Sequence, residues 1–95
     1  MVNKTEFDEI IGDYKLKLAD LFTAEIRKSE LYRKWKCDSE LPEILNELSK
    51  VCNEFDGMLR NFPLNVNDMN AEVLIGTLNK KYCKIKKIVN EIDWN

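Results

Sequence analysis

Histidine is absent from this 95-residue sequence, and glycine and proline are scarce, with 3 and 2 residues respectively. Without histidine, a Ser/His or Cys/His nucleophile pair cannot form, and the side chain that most zinc sites use is missing. The shortage of glycine and proline, together with many Lys, Glu, Leu and Ile residues, favours long helices over a turn-rich sheet. We therefore expect a helical protein that is not an enzyme and that uses no cofactor and no metal.

Long apolar runs are also absent, since no stretch approaches the roughly 18 residues that a membrane span needs. Charges stand in the N-terminal segment MVNKTEFDEI, where a signal peptide would be apolar. The three cysteines Cys37, Cys52 and Cys83 form no C-x-x-C pair, and Cys52 and Cys83 fall on or beside inner helix faces, as small core residues do. These features predict a cytoplasmic protein with reduced thiols and no membrane partner.

The most regular stretch of the sequence is 41–62, where apolar residues recur three and four apart without a gap. This spacing predicts a helix over about 40–61, with Ser39 as its N-cap. Phe62 and Pro63 should stop it, because the residue before a proline is pushed out of helical geometry. One helix cannot bury so continuous a stripe by itself, so the flanking segments must cover it.

The segment before this stretch is amphipathic too, but less regularly so. Its apolar residues predict a helix over about 5–34, with Thr5 as the N-cap. The apolar period weakens after Phe22, so the last turns should be less deeply buried. A break near Ser29 is the alternative interpretation.

The segment after 41–62 predicts a third helix over about 68–93, with Asn67 or Asp68 as its cap. Short connections between long helices place neighbouring helices antiparallel. We therefore predict an all-α fold, a single helical domain over 1–95 arranged as an antiparallel up-down-up three-helix bundle. Completion of a larger bundle by homodimerisation stays open, since extra apolar faces imply another helix to pack on.

Surplus apolar residues support the first hypothesis about function, which is protein binding. Val73, Ile75 and Ile88 broaden the apolar face of the third helix beyond one stripe. An ordinary broad core stripe is the alternative interpretation of the same residues. Tyr32 and Trp35 are large rings near the end of the first helix. Their burial against another protein or a second copy, inside a charged rim, would make the chain an adaptor, an inhibitor or a small subunit. The richness in Asn, Lys and Ile is compatible with an accessory protein of a virus or phage with an AT-rich genome.

Two basic clusters, in 27–36 and 80–87, support a second hypothesis, which is binding of nucleic acid. Cations neutralise phosphates, and exposed rings such as those in 27–36 stack on bases. The cations concerned are Arg27, Lys28, Arg33, Lys34, Lys36, Lys80, Lys84 and Lys87. A phosphate-binding stripe needs both clusters on the same side of the molecule. The net charge of −2 argues against it, and solvated or complementary charged faces are the alternative.

Overall fold

The computed structural model describes residues 3–37, 41–67 and 69–95. Within these ranges the chain forms α-helices and no β-strand, so the all-α prediction is confirmed. No helix in the described ranges is both long enough and apolar enough to cross a membrane. The predicted caps Ser39 and Asp68 lie outside the described residues.

Five helices follow one another within the described ranges. They are α1 (Lys4–Leu21), α2 (Ala24–Lys28), α3 (Glu30–Cys37), α4 (Glu43–Asn65) and α5 (Ala71–Glu91). Together they form an elongated body that measures 44 × 22 × 20 Å. Three of the helices are long, while α2 and α3 are short and pack on each other, and α3 also packs on α4.

α4 and α5 form an antiparallel pair, and theirs is the most extensive helix–helix packing in the described structure. The turn between them is held by Asn70, whose side-chain amide donates to the carbonyl oxygen of Asn65 at 2.9 Å. Asn67 tightens it further, because its side-chain oxygen accepts two backbone N–H groups of the turn. Farther along, Lys81 of α5 forms a salt bridge with Glu54 of α4. That bridge joins residues equally distant from the turn on the two helices, as antiparallel neighbours require.

α1 packs against both α4 and α5, and the three long helices share one apolar core. The largest fully buried side chains are Phe7, Phe55, Leu45, Leu48, Leu78 and Ile85. Near the middle of the core, the ring of Tyr14 meets Phe55 edge-on at 6.0 Å and Tyr82 at 5.8 Å between centroids. The Tyr14 hydroxyl donates to the side-chain oxygen of Asn79 at 3.2 Å. Because the described residues form five helices and not three, the predicted three-helix bundle is not established.

The predicted continuous helix over 5–34 is wrong. α1 ends at Leu21, and Phe22 leaves helical geometry with φ −92° and ψ 69°. Ser29, with φ −69° and ψ 148°, makes the second interruption, which is the break that the alternative interpretation places there. Its hydroxyl accepts the N–H of Tyr32 at 3.0 Å and so caps α3. The apolar period fails after Phe22 because the chain turns there and buries that ring in the core.

Two further boundaries differ from their predicted positions. α1 is capped by Asn3 and not by Thr5, because the Asn3 side chain accepts a first-turn backbone N–H at 2.8 Å. α4 passes through Pro63 and ends at Asn65, so the predicted stop at Phe62 is wrong. A proline this close to a helix end removes only one backbone hydrogen bond, which the adjoining buried face of α4 can outweigh.

α5 begins at Ala71, after the predicted start at residue 68, and ends at Glu91 before the predicted end at residue 93. Its start is delayed because the asparagine turn comes first. The backbone N–H of Asn67 donates to the Asn70 side chain at 2.8 Å, so Asn67 closes the turn and Asn70 takes the N-cap position.

Candidate protein-binding cleft

An open cleft of about 650 Å³ lies among α1, α2, α3 and α4 and reaches down to the core. Its floor is apolar and aromatic and consists of Leu18, Phe22, Tyr32, Trp35, Cys52 and Leu59. Its rim is mostly polar and consists of Lys15, Ala19, Arg27, Lys36, Ser49, Asn53 and Asp56. The cleft therefore combines an apolar floor with a charged edge.

The wall on the α3 side depends on a chain of aromatic rings. The ring of Phe22 packs on Trp35 at 5.2 Å and on Tyr32 at 6.3 Å between centroids. Trp35 in turn lies 6.4 Å from Trp94, whose indole N–H donates to the carbonyl oxygen of Val89 at 3.2 Å. These contacts hold α3 to the end of α1 and to the segment after α5. The position of the cleft wall therefore follows from the end of α1 at Phe22, where the chain turns.

The rim of the cleft is positively charged. Asp56 is the one carboxylate on the rim, and it already forms a salt bridge with Arg60. In the part of the chain that the structure describes, Lys15, Arg27 and Lys36 form no salt bridge. These three cations therefore face solvent around an apolar floor.

Lys36 also belongs to the ring-lined wall. Its Nζ atom lies 4.6 Å from the centroid of Trp35 and 5.7 Å from that of Tyr32, which is cation–π geometry.

On the floor, burial raises the pKa of the Cys52 thiol to about 11, with the charge of Lys36 acting in the opposite direction. Cys52 is therefore a protonated, apolar part of the floor near neutral pH. Cys83, which was predicted beside an inner face, is exposed instead.

The thiols should differ in reactivity. At pH 8 we expect Cys52 to react with iodoacetamide at least about tenfold more slowly than the exposed Cys37 and Cys83, because only the thiolate attacks and burial disfavours it. Site-resolved mass spectrometry of digests taken over time measures the three rates. In urea the three rates should converge. Equal rates in the folded protein would contradict the half-buried position of Cys52 and the raised pKa of its thiol.

The residues predicted to bind protein are divided among three places. Tyr32 and Trp35 line the cleft. Val73 is 68% exposed in the first turn of α5, and Ile75 is half-buried against the core. Ile88 is only 6% exposed and packs inside the core, so it is not among the apolar residues left at the surface. The protein-binding role of this set of residues stays a prediction.

A second group of exposed apolar residues lies where α4 turns into α5. Leu64 is 82% exposed, Met69 is 93% exposed, and Val73 follows in the first turn of α5. We call these three residues the hairpin tip. The apolar period singles out Val73 but not Leu64 or Met69, because those two lie where the helical pattern ends.

The cations predicted to bind nucleic acid are all exposed. Arg27 and Lys36 lie on the cleft rim, whereas Lys84 lies close enough to Glu54 for its charge to help lower the pKa of that carboxyl. The largest cause of that lowering is the hydrogen bond from Lys81. Glu54 is two residues from Cys52 of the cleft floor. Two residues correspond to a rotation of roughly 200° around α4, so the two side chains lie on nearly opposite sides of the helix.

Arg27 and Lys36 of one cluster therefore lie on a different flank of α4 from Lys84 of the other. The cluster in 27–36 contributes to the cleft, whereas the lysines near Glu54 face the other flank. The nucleic-acid hypothesis, which requires both clusters on one side of the molecule, stays a prediction.

Several cleft residues carry no strong signal in the sequence. Lys15 and Ala19 lie on a regular amphipathic helix, and nothing in their spacing separates them from other surface positions. The useful signal is a pair of short N-cap patterns, Thr23 followed by Glu25 and Ser29 followed by Glu30. These patterns indicate that the chain restarts helices after Phe22, and hence that α3 can fold back beside α4.

Comparison of the chain with protein-family models, with curated proteins and with solved structures found no match. Among the described residues, no three Cys, Asp or Glu side chains converge in a way that would hold a metal ion. The geometry of the cleft is therefore the basis for a functional proposal.

Proposed function

We propose that this chain is a non-enzymatic protein-interaction module that binds a protein partner in the cleft. The observation that carries the proposal is the ring-lined floor inside a polar rim, which is the usual anatomy of a protein interface. Tyr32 and Trp35 supply the residue types that most often dominate binding energy at such interfaces. Both are only partly covered by the chain itself, so a partner can bury them further.

The titratable groups of the cleft suit binding better than proton transfer. A catalytic acid or base needs a group poised near the operating pH and within reach of a substrate. The cleft offers cations, the protonated Cys52 thiol and Asp56, whose carboxylate is engaged by Arg60. These groups can attract and orient a partner, which is what an adaptor, an inhibitor or a small subunit needs.

We also propose how the helices are arranged around the cleft. In it, α1, α4 and α5 form an up-down-up bundle, and α2 and α3 make an appended corner that walls the cleft. A second copy of the chain is the alternative partner, with the exposed hairpin tip as the surface it would cover. Light scattering at several protein concentrations, in low and high salt, would detect such a homodimer.

A substitution that fills the cleft tests the main proposal. Ala19 is exposed on the rim, so Ala19→Arg adds bulk above the floor while leaving the core untouched. Peptides would first be selected from a displayed random library on the immobilised wild-type chain. We expect Ala19→Arg to weaken the selected peptides at least about tenfold in fluorescence anisotropy, because the added side chain occupies their site.

The matched control is Ala24→Arg, which makes the same change at an exposed alanine outside the cleft. This variant should bind the selected peptides within about twofold of wild type. Far-UV circular dichroism of both variants checks that they are folded. The proposal fails if no peptide is enriched, or if Ala19→Arg binds the enriched peptides as well as wild type does.

A further inference from the structure

We infer that the partner segment is an acidic amphipathic helix, with its apolar side on the ring-lined floor and its carboxylates against Lys15, Arg27 and Lys36. This inference rests on the proposed role of the cleft in protein binding and adds the chemistry of what binds. Its grounds are the charge of the rim, the length of the cleft and the kind of backbone that the cleft can accept.

The charge of the rim differs in sign from that of the whole chain. The chain carries a net charge of −2, yet the rim has three cations without a salt bridge among the described residues. The single rim carboxylate, Asp56, is already matched by Arg60. A basic partner would be attracted to the chain as a whole and repelled here, whereas an acidic segment is drawn to this place.

The walls of the cleft are long enough for a helix. Along α1 and its C-cap residue the cleft extends from Lys15 to Phe22, roughly 10 Å, and on α4 it extends from Ser49 to Leu59, a rise of roughly 15 Å. These lengths correspond to about two to three helical turns. A groove between two helices accepts the side-chain ridge of a third, as in helix-in-groove recognition.

The backbone chemistry also favours a helix over an extended peptide. An extended segment must find partners for its N–H and C=O groups when it leaves water, whereas a helix satisfies them internally. The cleft is lined by helices, and the described residues provide no sheet edge to which a strand could be added. A helical segment therefore binds here with fewer unmatched backbone groups.

A phosphate-bearing ligand fits this place less well than carboxylates on a helix. Phosphate sites usually present backbone N–H groups from a glycine-rich turn at a helix start. None of the 3 glycines of the chain lines the cleft, and its cations are exposed side chains. Lys81 and Lys84 of α5, which lie near Glu54, are on the other flank of α4.

The test uses a pair of synthetic helical peptides with opposite charge. One peptide carries glutamates two turns apart beside a leucine and phenylalanine face, and its twin carries lysines in place of the glutamates. Against the wild-type chain, the acidic peptide should bind at least about tenfold more tightly than the twin at low salt, and the difference should shrink as salt is raised. The double variant Lys15→Glu/Lys36→Glu should reverse this preference.

The control variant is Lys80→Glu/Lys84→Glu, which makes the same change in charge at exposed positions of α5 outside the cleft. Its affinity for the acidic peptide should lie within about twofold of the wild-type affinity, because salt screens exposed charges that lie outside the binding site. A purely structural effect of the cleft substitutions would weaken both peptides. A reversal of preference requires direct contact between unlike charges.

Three outcomes would overturn the inference, and they separate it from the proposal on which it rests. Equal binding of the two peptides, while library peptides remain sensitive to Ala19→Arg, would reject the acidic helix and keep the protein-binding cleft. If no peptide were found whose binding Ala19→Arg weakens, both the acidic helix and the protein-binding cleft would be rejected. Tighter binding of a single-stranded oligonucleotide, abolished by Lys15→Glu/Lys36→Glu, would assign the cleft to nucleic acid.

Discussion

Replacing Phe55 with alanine should lower the free energy of unfolding by about 3–5 kcal/mol. Phe55 is fully buried on α4, and its ring meets Tyr14 of α1 and Tyr82 of α5. Its removal therefore opens a cavity where all three long helices meet. A chain of this length has a total stability of about 5–14 kcal/mol, so the loss should be a large share of it. Urea unfolding followed by far-UV circular dichroism measures the change.

The matched comparison for Phe55→Ala is Met58→Ala, which shortens a half-buried side chain on the same helix. Met58→Ala should lower the free energy of unfolding by less than about 2 kcal/mol, because a flexible and partly solvated side chain leaves little cavity. If both variants lost the same amount, Phe55 would not occupy the tightly packed centre that its contacts describe.

The second large effect is expected for Trp35→Ala. Trp35 packs on Phe22, Tyr32 and Trp94 and also forms the floor of the cleft. Because it is only partly buried, we expect a loss of about 2–3 kcal/mol in stability, below the range for a fully buried tryptophan. The same change should weaken the binding of a peptide in the cleft at least about tenfold, since it removes the one tryptophan that lines the cleft.

Two controls separate these effects of Trp35. Trp35→Phe keeps a ring in the cluster and should recover at least half of the lost stability. Leu16→Ala removes a side chain that is 66% exposed and lies outside the cleft, so it should change stability by less than about 0.5 kcal/mol and leave peptide binding intact. Undiminished peptide binding by folded Trp35→Ala would show that the partner does not use this ring.

The inner face of α4 could be predicted from the sequence because its signal is local. Leu45, Leu48, Val51, Phe55 and Leu59 are all buried, and they are the residues whose three-and-four spacing defines the stripe. Helical spacing records which side of a helix avoids water, and that information is contained within a few neighbouring residues. The all-α class follows from the same local signal in three segments.

The end of α1 could not be predicted in the same way. Phe22 fits the apolar face of a continuing helix as well as it fits a turn. What decides between them is its packing on Tyr32 and Trp35, residues that reach it only after the chain has folded back. The burial of Ile88 likewise depends on which helices cover that face of α5.

The cleft was the least predictable feature because its lining comes from distant parts of the chain. Lys15 on α1 and Cys52 on α4 share it, although neither belongs to a motif. The sequence drew attention to Tyr32 and Trp35 as candidate protein-binding residues, since they are large rings in a cationic segment. That they line a cleft is visible only from the fold, whereas the binding role assigned to them stays a proposal.

The aromatic cluster of Phe22, Tyr32, Trp35 and Trp94 gives this protein a fluorescence signal that is separate from its helix content. Both tryptophans of the chain, Trp35 and Trp94, belong to that one cluster, and no other residue contributes indole emission. Intrinsic fluorescence is therefore an optical signal from one corner of the molecule, where α3 meets the segment after α5. Detachment of that corner would change the emission, while far-UV circular dichroism, which reports the helix content of the whole chain, would change little.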